Sequence, residues 1–366
     1  MSSPAEQEPI QPGAQGVLAL TDYLARGGKP DSDWRVGTEC EKLAVYGEDG
    51  RRLAYHSEGS RPGILTLLEA LVASHGWRPF EGSGPLVALK RDGASITLEP
   101  GGQFELSGAP FATIHEANDE FTRHHEELAE LGEAFGVQWL FAGADPTSAV
   151  DAVPWMPKPR YAVMRDYLPT RGQLGLHMMK KTCTIQANLD YRDEVDMGRK
   201  LRSAMGIAST VQALYANSPF VAGALSPYKT VRGHIWTDTD EDRAGLLPWV
   251  FDGEVPSYEQ WVLQALRVPM FAVVREGTYH PAEGTTFGAF IERGFQGFKA
   301  TFDDWIFHLS TLFYEVRIKT HLEVRSADCV PPRFQMSLPA LYKGLLYDDG
   351  ALEACLELTA KWTYAE

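Results

Sequence analysis

The stretch Glu315–Arg325 alternates without a break: Glu315, Arg317, Lys319, His321, Glu323 and Arg325 at odd positions, Val316, Ile318, Thr320, Leu322 and Val324 at even ones. A strand sends alternate side chains to opposite faces, so a strand here has one packed face and one carrying six ionisable groups. Taken alone, the charged face is equally an ordinary solvated face.

Two further segments share the pattern. In Trp34–Val45, Glu39 and Glu41 lie two apart and share a face. Two unit charges about 4 Å apart repel by about 4 kcal/mol at an effective dielectric near 20, so a cation is wanted between them. Lys42, a remote Arg or a bound metal would meet that need. In Lys181–Asp190, Thr182, Thr184, Gln186 and Asn188 form a polar, uncharged face, suited to a bound small molecule or to solvent. In Ile96–Leu106 a Pro-Gly-Gly turn stands between Glu99 and Glu105 and brings them close.

Around these strands, helical periodicity marks 17–26, 63–74, 113–135, 197–216, 258–266 and 302–312, and strand-like runs mark 86–90, 95–99, 104–107, 137–142 and 269–275. Helices and strands mix without strict βαβ alternation, which predicts an α+β fold with a mainly antiparallel sheet rather than a doubly wound one. Residues 1–16, rich in Ser, Pro, Glu and Gln, are expected to be a disordered lead-in, with 17–366 forming a single catalytic domain.

Charge and composition exclude several classes. A formal net charge of −15 argues against nucleic-acid binding, which needs a basic surface. There is no run of about 18 apolar residues for a membrane span and no secretory leader, so a cytoplasmic protein is expected. Cys40, Cys183, Cys329 and Cys355 form no zinc spacing and read as reduced structural thiols.

Glu39, Glu41, Glu99, Glu105 and Glu323 thus offer five carboxylates on strands of one sheet. Hard oxygen donors select Mg²⁺ or Mn²⁺ over zinc, and Mg²⁺ with few protein ligands usually bridges to phosphates. Arg165, Arg232 and Arg325 suit carboxylate and phosphate forks. Acid-rich sites beside Arg forks point to phosphoryl transfer, although the chain has neither a P-loop nor a nucleophile elbow.

At these residues the chain resembles the plant and proteobacterial type of glutamate–cysteine ligase. The matching stretches are Arg35–Lys42 (RVGTECEK), Ile96–Pro110 (ITLEPGGQFELSGAP), Arg160–Pro169 (RYAVMRDYLP), Leu174–Asp190 (LGLHMMKKTCTIQANLD), Ala216–Phe220 (ANSPF), His234–Arg243 (HIWTDTDEDR) and Leu322–Asp328 (LEVRSAD). The resemblance implies a glutamine-synthetase-like catalytic domain: a curved, mainly antiparallel sheet forming a funnel, with helices on its outer side. It implies ATP as co-substrate, Mg²⁺ or Mn²⁺, and joining of glutamate's γ-carboxylate to the amine of cysteine through an acyl phosphate, by a monomer or homodimer. It places Glu39, Glu41, Glu99, Glu105, Glu323 and Gln186 on metal. Arg325 falls on the transferring phosphate, with Arg232 and Lys181 beside it as catalytic groups, and Arg165, Arg232, Thr182, Thr184 and Trp236 fall around the substrate. Asn118 and Met336 stand where the family carries a redox-sensitive cysteine pair. Lys181, His177 and Gly233 depart from the family's usual Arg, Asp and Ser, which leaves open a different acceptor amine or acid. The chain also stops short of the family's C-terminal stretch.

Overall fold

A computed structural model describes residues 8–80 and 84–364. Its frame is one nine-stranded sheet. The strands are β1 (Val36–Tyr46), β2 (Arg78–Pro79), β3 (Ala88–Arg91), β4 (Ala94–Leu98), β5 (Gln103–Ser107), β6 (Val137–Leu140), β7 (Ile185–Leu189), β8 (Val316–Ile318) and β9 (Leu322–Val324). They run in the order β8-β9-β7-β1-β5-β4-β3-β2, every pairing antiparallel. β6 joins the far half of β1. Leu43 pairs with both Gln103 of β5 and Leu140 of β6, so β6 extends the β1 edge opposite β5, the edge where β7 pairs with the near half. The architecture is α+β with a mainly antiparallel sheet.

Register fixes which side chains share a face. Glu41 stands opposite Glu105, and Glu105 opposite Thr97. Glu39 stands opposite Gln186. Asn188 stands opposite Glu323, and Glu323 opposite Arg317. Directly paired residues lie on the same side of a sheet, so all of these project from one face. Cys40, Lys42, Leu106, Phe104, Ala187, Val324 and Val316 take the other.

The apolar face is covered in two blocks. Over β7, β8 and β9, Leu189, Ile318 and Leu322 pack with Leu201, Ala204 and Met205 of helix Glu194–Leu214 and with Leu338, Tyr342 and Leu346 of helix Ser337–Leu346. Over β1, β4 and β5, Leu98, Phe104 and Leu106 pack with Phe121, Leu128 and Leu131 of helix Ile114–Phe135 and Leu67, Leu68 and Leu71 of helix Ile64–Ser74. Helix Ile114–Phe135 starts on a Thr113/Glu116 capping box and stops at left-handed Gly136.

Several expectations are corrected here. The lead-in does not reach residue 16: Ile10 is buried, Pro9 bridges to Thr301, and helix Ala14–Ala25 has already begun. Residues 1–7 lie outside the described residues. The alternating run Glu315–Arg325 is not one strand but a hairpin, β8 and β9. Its pairing (Val316 with Val324, Ile318 with Leu322) joins positions of equal parity, so the two-faced pattern survives the turn. Lys181 closes helix Gly175–Lys181 rather than opening a strand, and β7 starts only at Ile185. Lys42, a candidate to neutralise Glu39 and Glu41, lies on the opposite face, where its Nζ meets His124 Nε2 at 2.8 Å. Burial, with Lys42 adjacent, pushes His124 down to about 3, so the ring is neutral and Nε2 accepts from a Lys42 N–H.

The Pro100-Gly101-Gly102 turn is built against helix Gly175–Lys181. A Cβ on Gly101 would sit 2.2 Å from the Lys180 carbonyl oxygen, and Gly102 has φ 78°. Gly101→Ala should therefore push the turn off the helix and cost about 1–3 kcal/mol, read as a lowered urea midpoint with an unchanged m-value.

Candidate active site

The polar face of the sheet opens on a cavity. Its floor and sides include Glu41, Glu99, Thr182, Thr184, Arg232 and Arg325, and its far wall is apolar, with Met164, Met178, Trp236, Phe271 and Phe313. Glu39, Glu105, Gln186 and Glu323 adjoin these residues on the same sheet face.

Four of the carboxylates face one another with few cations between them. Glu39 accepts from Asn188 Nδ2 at 2.8 Å, Glu41 from the Thr184 N–H at 2.9 Å, and Glu105 from Thr97 Oγ1 at 2.8 Å. Glu99 lies 3.6 Å from Arg160. Burial, then Glu99 nearby, pushes Glu41 up to about 8 against the partial relief of Arg232 and Arg325. Burial together with Glu39, Glu99 and Glu41 holds Glu105 well above the usual carboxylate range. Such crowding of hard oxygen donors fits a divalent cation, which would let these groups stay ionised. Among the described residues, no three carboxylate, imidazole or thiol groups already converge as a metal centre.

Glu323 is a different case. It is fully buried, and burial works to raise it. Arg317, Lys319 and Arg325 overcome that and hold it well below the carboxylate range. Its Oε1 accepts from Arg317 Nη2 at 2.5 Å and from Arg325 Nη1; its Oε2 accepts from Arg317 Nε at 3.3 Å and pairs with Lys319 Nζ at 2.8 Å. A carboxylate has about four lone-pair sites, and here all are engaged. Gln186 Oε1 likewise accepts from Arg325 Nη1 at 3.0 Å. The two residues expected on metal thus serve Arg325 in this structure, leaving Glu39, Glu41, Glu99 and Glu105 as the fitting donor set.

Arg325 is also held through its backbone. Arg232, buried in short helix Val231–Trp236, donates Nη2 to the Arg325 carbonyl at 2.8 Å and Nη1 to that of Ser326 at 3.0 Å. Thr184 Oγ1 reaches the Ala327 carbonyl at 2.7 Å. Buried Asp328 accepts from the Asn217 N–H, Ser218 Oγ and Thr230 Oγ1 at 2.6–2.8 Å, which accounts for the Asn217-Ser218-Pro219 stretch.

Two expected site residues lie elsewhere. Arg165 is exposed on helix Pro159–Tyr167 and pairs with its neighbour Asp166; one turn earlier, Arg160 lines the cavity instead. The helix turns about 100° per residue, so the two Arg side chains point in different directions, and which of them faces in is set by how the helix packs on the sheet. Lys181 is buried outside the cavity lining, within electrostatic reach of Asp145 and Arg52. Thr182 lines the cavity but donates its hydroxyl to the Met178 carbonyl at 2.7 Å. Sequence reasoning also missed Arg317 and Lys319, although both stood on the charged face.

Three buried donors on cavity-lining residues, Arg160 Nε, Arg232 Nε and Trp236 Nε1, have no hydrogen-bond partner among the described residues. Native proteins rarely leave such groups unpaired, and acceptor oxygens of an anionic ligand would satisfy them.

The raised Glu41 fixes a pH dependence. The folded state holds its proton up to about pH 8, whereas the unfolded chain releases it near 4.5. Glu41's contribution to the stability of the metal-free protein therefore falls as pH rises from about 4.5 to about 8 and levels off above. Melting curves with EDTA or with Mg²⁺ should show the larger Mg²⁺ stabilisation at pH 8 and the smaller at pH 5.

With this geometry in place, comparisons with known proteins are specific. The family model described as glutamate-cysteine ligase family 2 (GCS2) matches residues 35–366. The chloroplastic glutamate–cysteine ligase of Brassica juncea is 42% identical over 350 residues, covering 95% of this chain and 67% of that protein. The chloroplastic enzyme of Arabidopsis thaliana is 42% identical with 95% and 66% coverage. The chain thus spans about two thirds of the length of these relatives. A glutamate–cysteine ligase from Francisella tularensis, solved with AMP, superposes with a TM-score of 0.49 at 11% identity over 88% of this chain and 66% of that one, too slight a likeness to argue from.

The relatives' names overturn the expectation of a cytoplasmic protein, since they are chloroplastic. That expectation rested on a missing secretory leader, and plastid targeting uses a different kind of segment. Among the described residues no helix is long and apolar enough to cross a membrane. The family match over residues 35–366 and the identity to these relatives agree: the chain belongs to glutamate-cysteine ligase family 2.

Proposed function

We propose that this chain is an ATP-dependent ligase that joins the γ-carboxylate of glutamate to the amine of cysteine through a γ-glutamyl phosphate. The observation that carries the reading is one cavity lined both by acids, Glu99 and the hard-to-ionise Glu41, and by arginines, Arg160, Arg232 and Arg325. The reaction brings two anions together, and cationic groups must offset their repulsion.

A glutamate γ-carboxylate oxygen attacks the terminal phosphorus of ATP, and ADP leaves. The cysteine amine then attacks the acyl carbon, inorganic phosphate leaves with the bonding pair, and the proton lost from the amine nitrogen goes to that phosphate. A Mg²⁺ or Mn²⁺ ion held by Glu39, Glu41, Glu99 and Glu105 would supply charge neutralisation for the phosphates. Arg325, fixed by Glu323, Gln186 and Arg232, presents Nε and Nη2 to the charge that develops on the transferring group. Arg160 and Arg232 offer Nε donors to carboxylate oxygens of the substrate. Met164, Met178, Trp236 and Phe271 give the acceptor an apolar, water-poor wall. No side chain is needed as nucleophile, since the substrate carboxylate performs that role.

Lys181, His177 and Gly233, whose identities leave room for another acceptor, do not line the cavity. They give that second reading no support from position.

The decisive experiment measures ADP release with Mg–ATP and glutamate, with and without cysteine, and identifies the product by mass. Cysteine-dependent release with a γ-glutamylcysteine mass supports the proposal; release only with another amine rejects cysteine as acceptor. Arg160→Ala should raise KM for glutamate about tenfold or more, while Arg165→Ala should stay within about twofold of wild type. Equal effects of the two would remove Arg160 from the substrate site. Arg325→Lys should lower kcat more than ATP affinity, because a point charge replaces an oriented fork.

A further inference from the structure

Arg317 and Lys319 touch neither the cavity nor any residue of the carboxylate set, yet both are spent on Glu323. Arg317 is buried and uses four of its five N–H groups inside the protein. Nη2 and Nε go to the two oxygens of Glu323, and Nη1 goes to the carbonyls of Ser310 at 2.7 Å and Leu312 at 3.0 Å. It therefore ties the β8–β9 hairpin to the end of helix Phe302–Ser310, and no N–H edge remains to meet a ligand as a fork. Glu323, saturated by its partners, has one bond that leads to the cavity: the one from Arg325 Nη1. Arg325 Nε and Nη2 make no hydrogen bond among the described residues. Three cations against one carboxylate leave the group with a formal excess of two positive charges beside the cavity.

We propose that Arg317 is a positioning residue: by locking the Glu323 carboxylate from behind, with Lys319 as a second brace, it aims the free edge of Arg325 at the transferring phosphoryl group. The anion bound there is a nucleotide phosphate, and the excess positive charge favours it. The proposal rests on the ligase reading for the identity of the phosphoryl group, but its geometry does not depend on the acceptor amine. A guanidinium on a three-carbon stem has many rotamers. Anchoring one of its nitrogens to a carboxylate that cannot itself rotate removes most of them before substrate arrives.

The test is a double-mutant cycle on the full chain. Arg317→Met, Lys319→Met, Arg325→Met and the two doubles with Arg325→Met are compared for kcat, KM for ATP and glutamate, and equilibrium binding of Mg–ADP. If Arg317 acts through Arg325, Arg317→Met lowers kcat about 10- to 100-fold with KM for glutamate within about threefold, and the double variant is no slower than Arg325→Met alone. Arg317→Lys, which keeps charge but loses the fork, should recover only part of the loss. Losses that multiply in the double variant would overturn the proposal, since a merely structural Arg317 acts independently of Arg325. Should Arg317→Met fail to fold, the same cycle on Lys319, which is partly exposed, carries the test. If the wild type shows no turnover with glutamate and cysteine, the ligase reading fails. The cycle read in Mg–ADP affinity then still decides the positioning role: non-multiplying losses support it and multiplying losses reject it.

Discussion

Like charge on one face of a sheet is the constraint around which this molecule is arranged. Antiparallel register puts Glu39, Glu41 and Glu105 side by side, and the Pro100–Gly102 turn adds Glu99. Their repulsion is worth several kcal/mol per close pair at moderate dielectric. Hydrogen bonds from Asn188, Thr184 and Thr97 hold the carboxylates in place without neutralising them, and Glu41 and Glu105 remain hard to ionise. A fold that keeps such a set is poised for a cation.

The opposite extreme lies two strands away. Around Glu323 the imbalance is reversed, with three cations to one carboxylate. The two clusters are separated by β7, whose outward residues Gln186 and Asn188 are uncharged and link the two sides: Gln186 to Arg325, Asn188 to Glu39. A cation-seeking region and an anion-seeking region therefore share one cavity, with a neutral strand between. Transfer of a phosphoryl group between two anions needs that juxtaposition.

The reverse face supports this arrangement with packing and a few closed polar networks. Lys42 would be costly there without an acceptor, and it is matched to a neutral His124, followed by Glu127, Arg91 and Trp77. Buried Cys40 and Cys329 meet at 3.8 Å between sulfurs, as free thiols in contact. On the cavity side, Arg243, wholly buried, donates to Asp240 and to the carbonyls of Thr311 and Pro269, joining the segments that supply Phe271 and Phe313 to the cavity wall. These networks fix elements rather than touch ligands.

Much was legible in the sequence by itself. Period-two alternation determined which residues of β1, β7, β8 and β9 share a face, because the pleat permits no other outcome, and even the unforeseen turn at residues 319–321 preserved parity. Three of the stretches that match the family, Arg35–Lys42, Leu174–Asp190 and Leu322–Asp328, reach onto those strands, so family and candidate acids came together. What only the tertiary structure decided was pairing between distant segments. That Glu323 is saturated by Arg317, Lys319 and Arg325, that Arg160 rather than Arg165 faces the cavity, and that Lys181 ends a helix all depend on where separate segments meet. Side-chain alternation is a local property of the backbone, whereas the partner of a buried charge is set by register and helix phase across the whole fold.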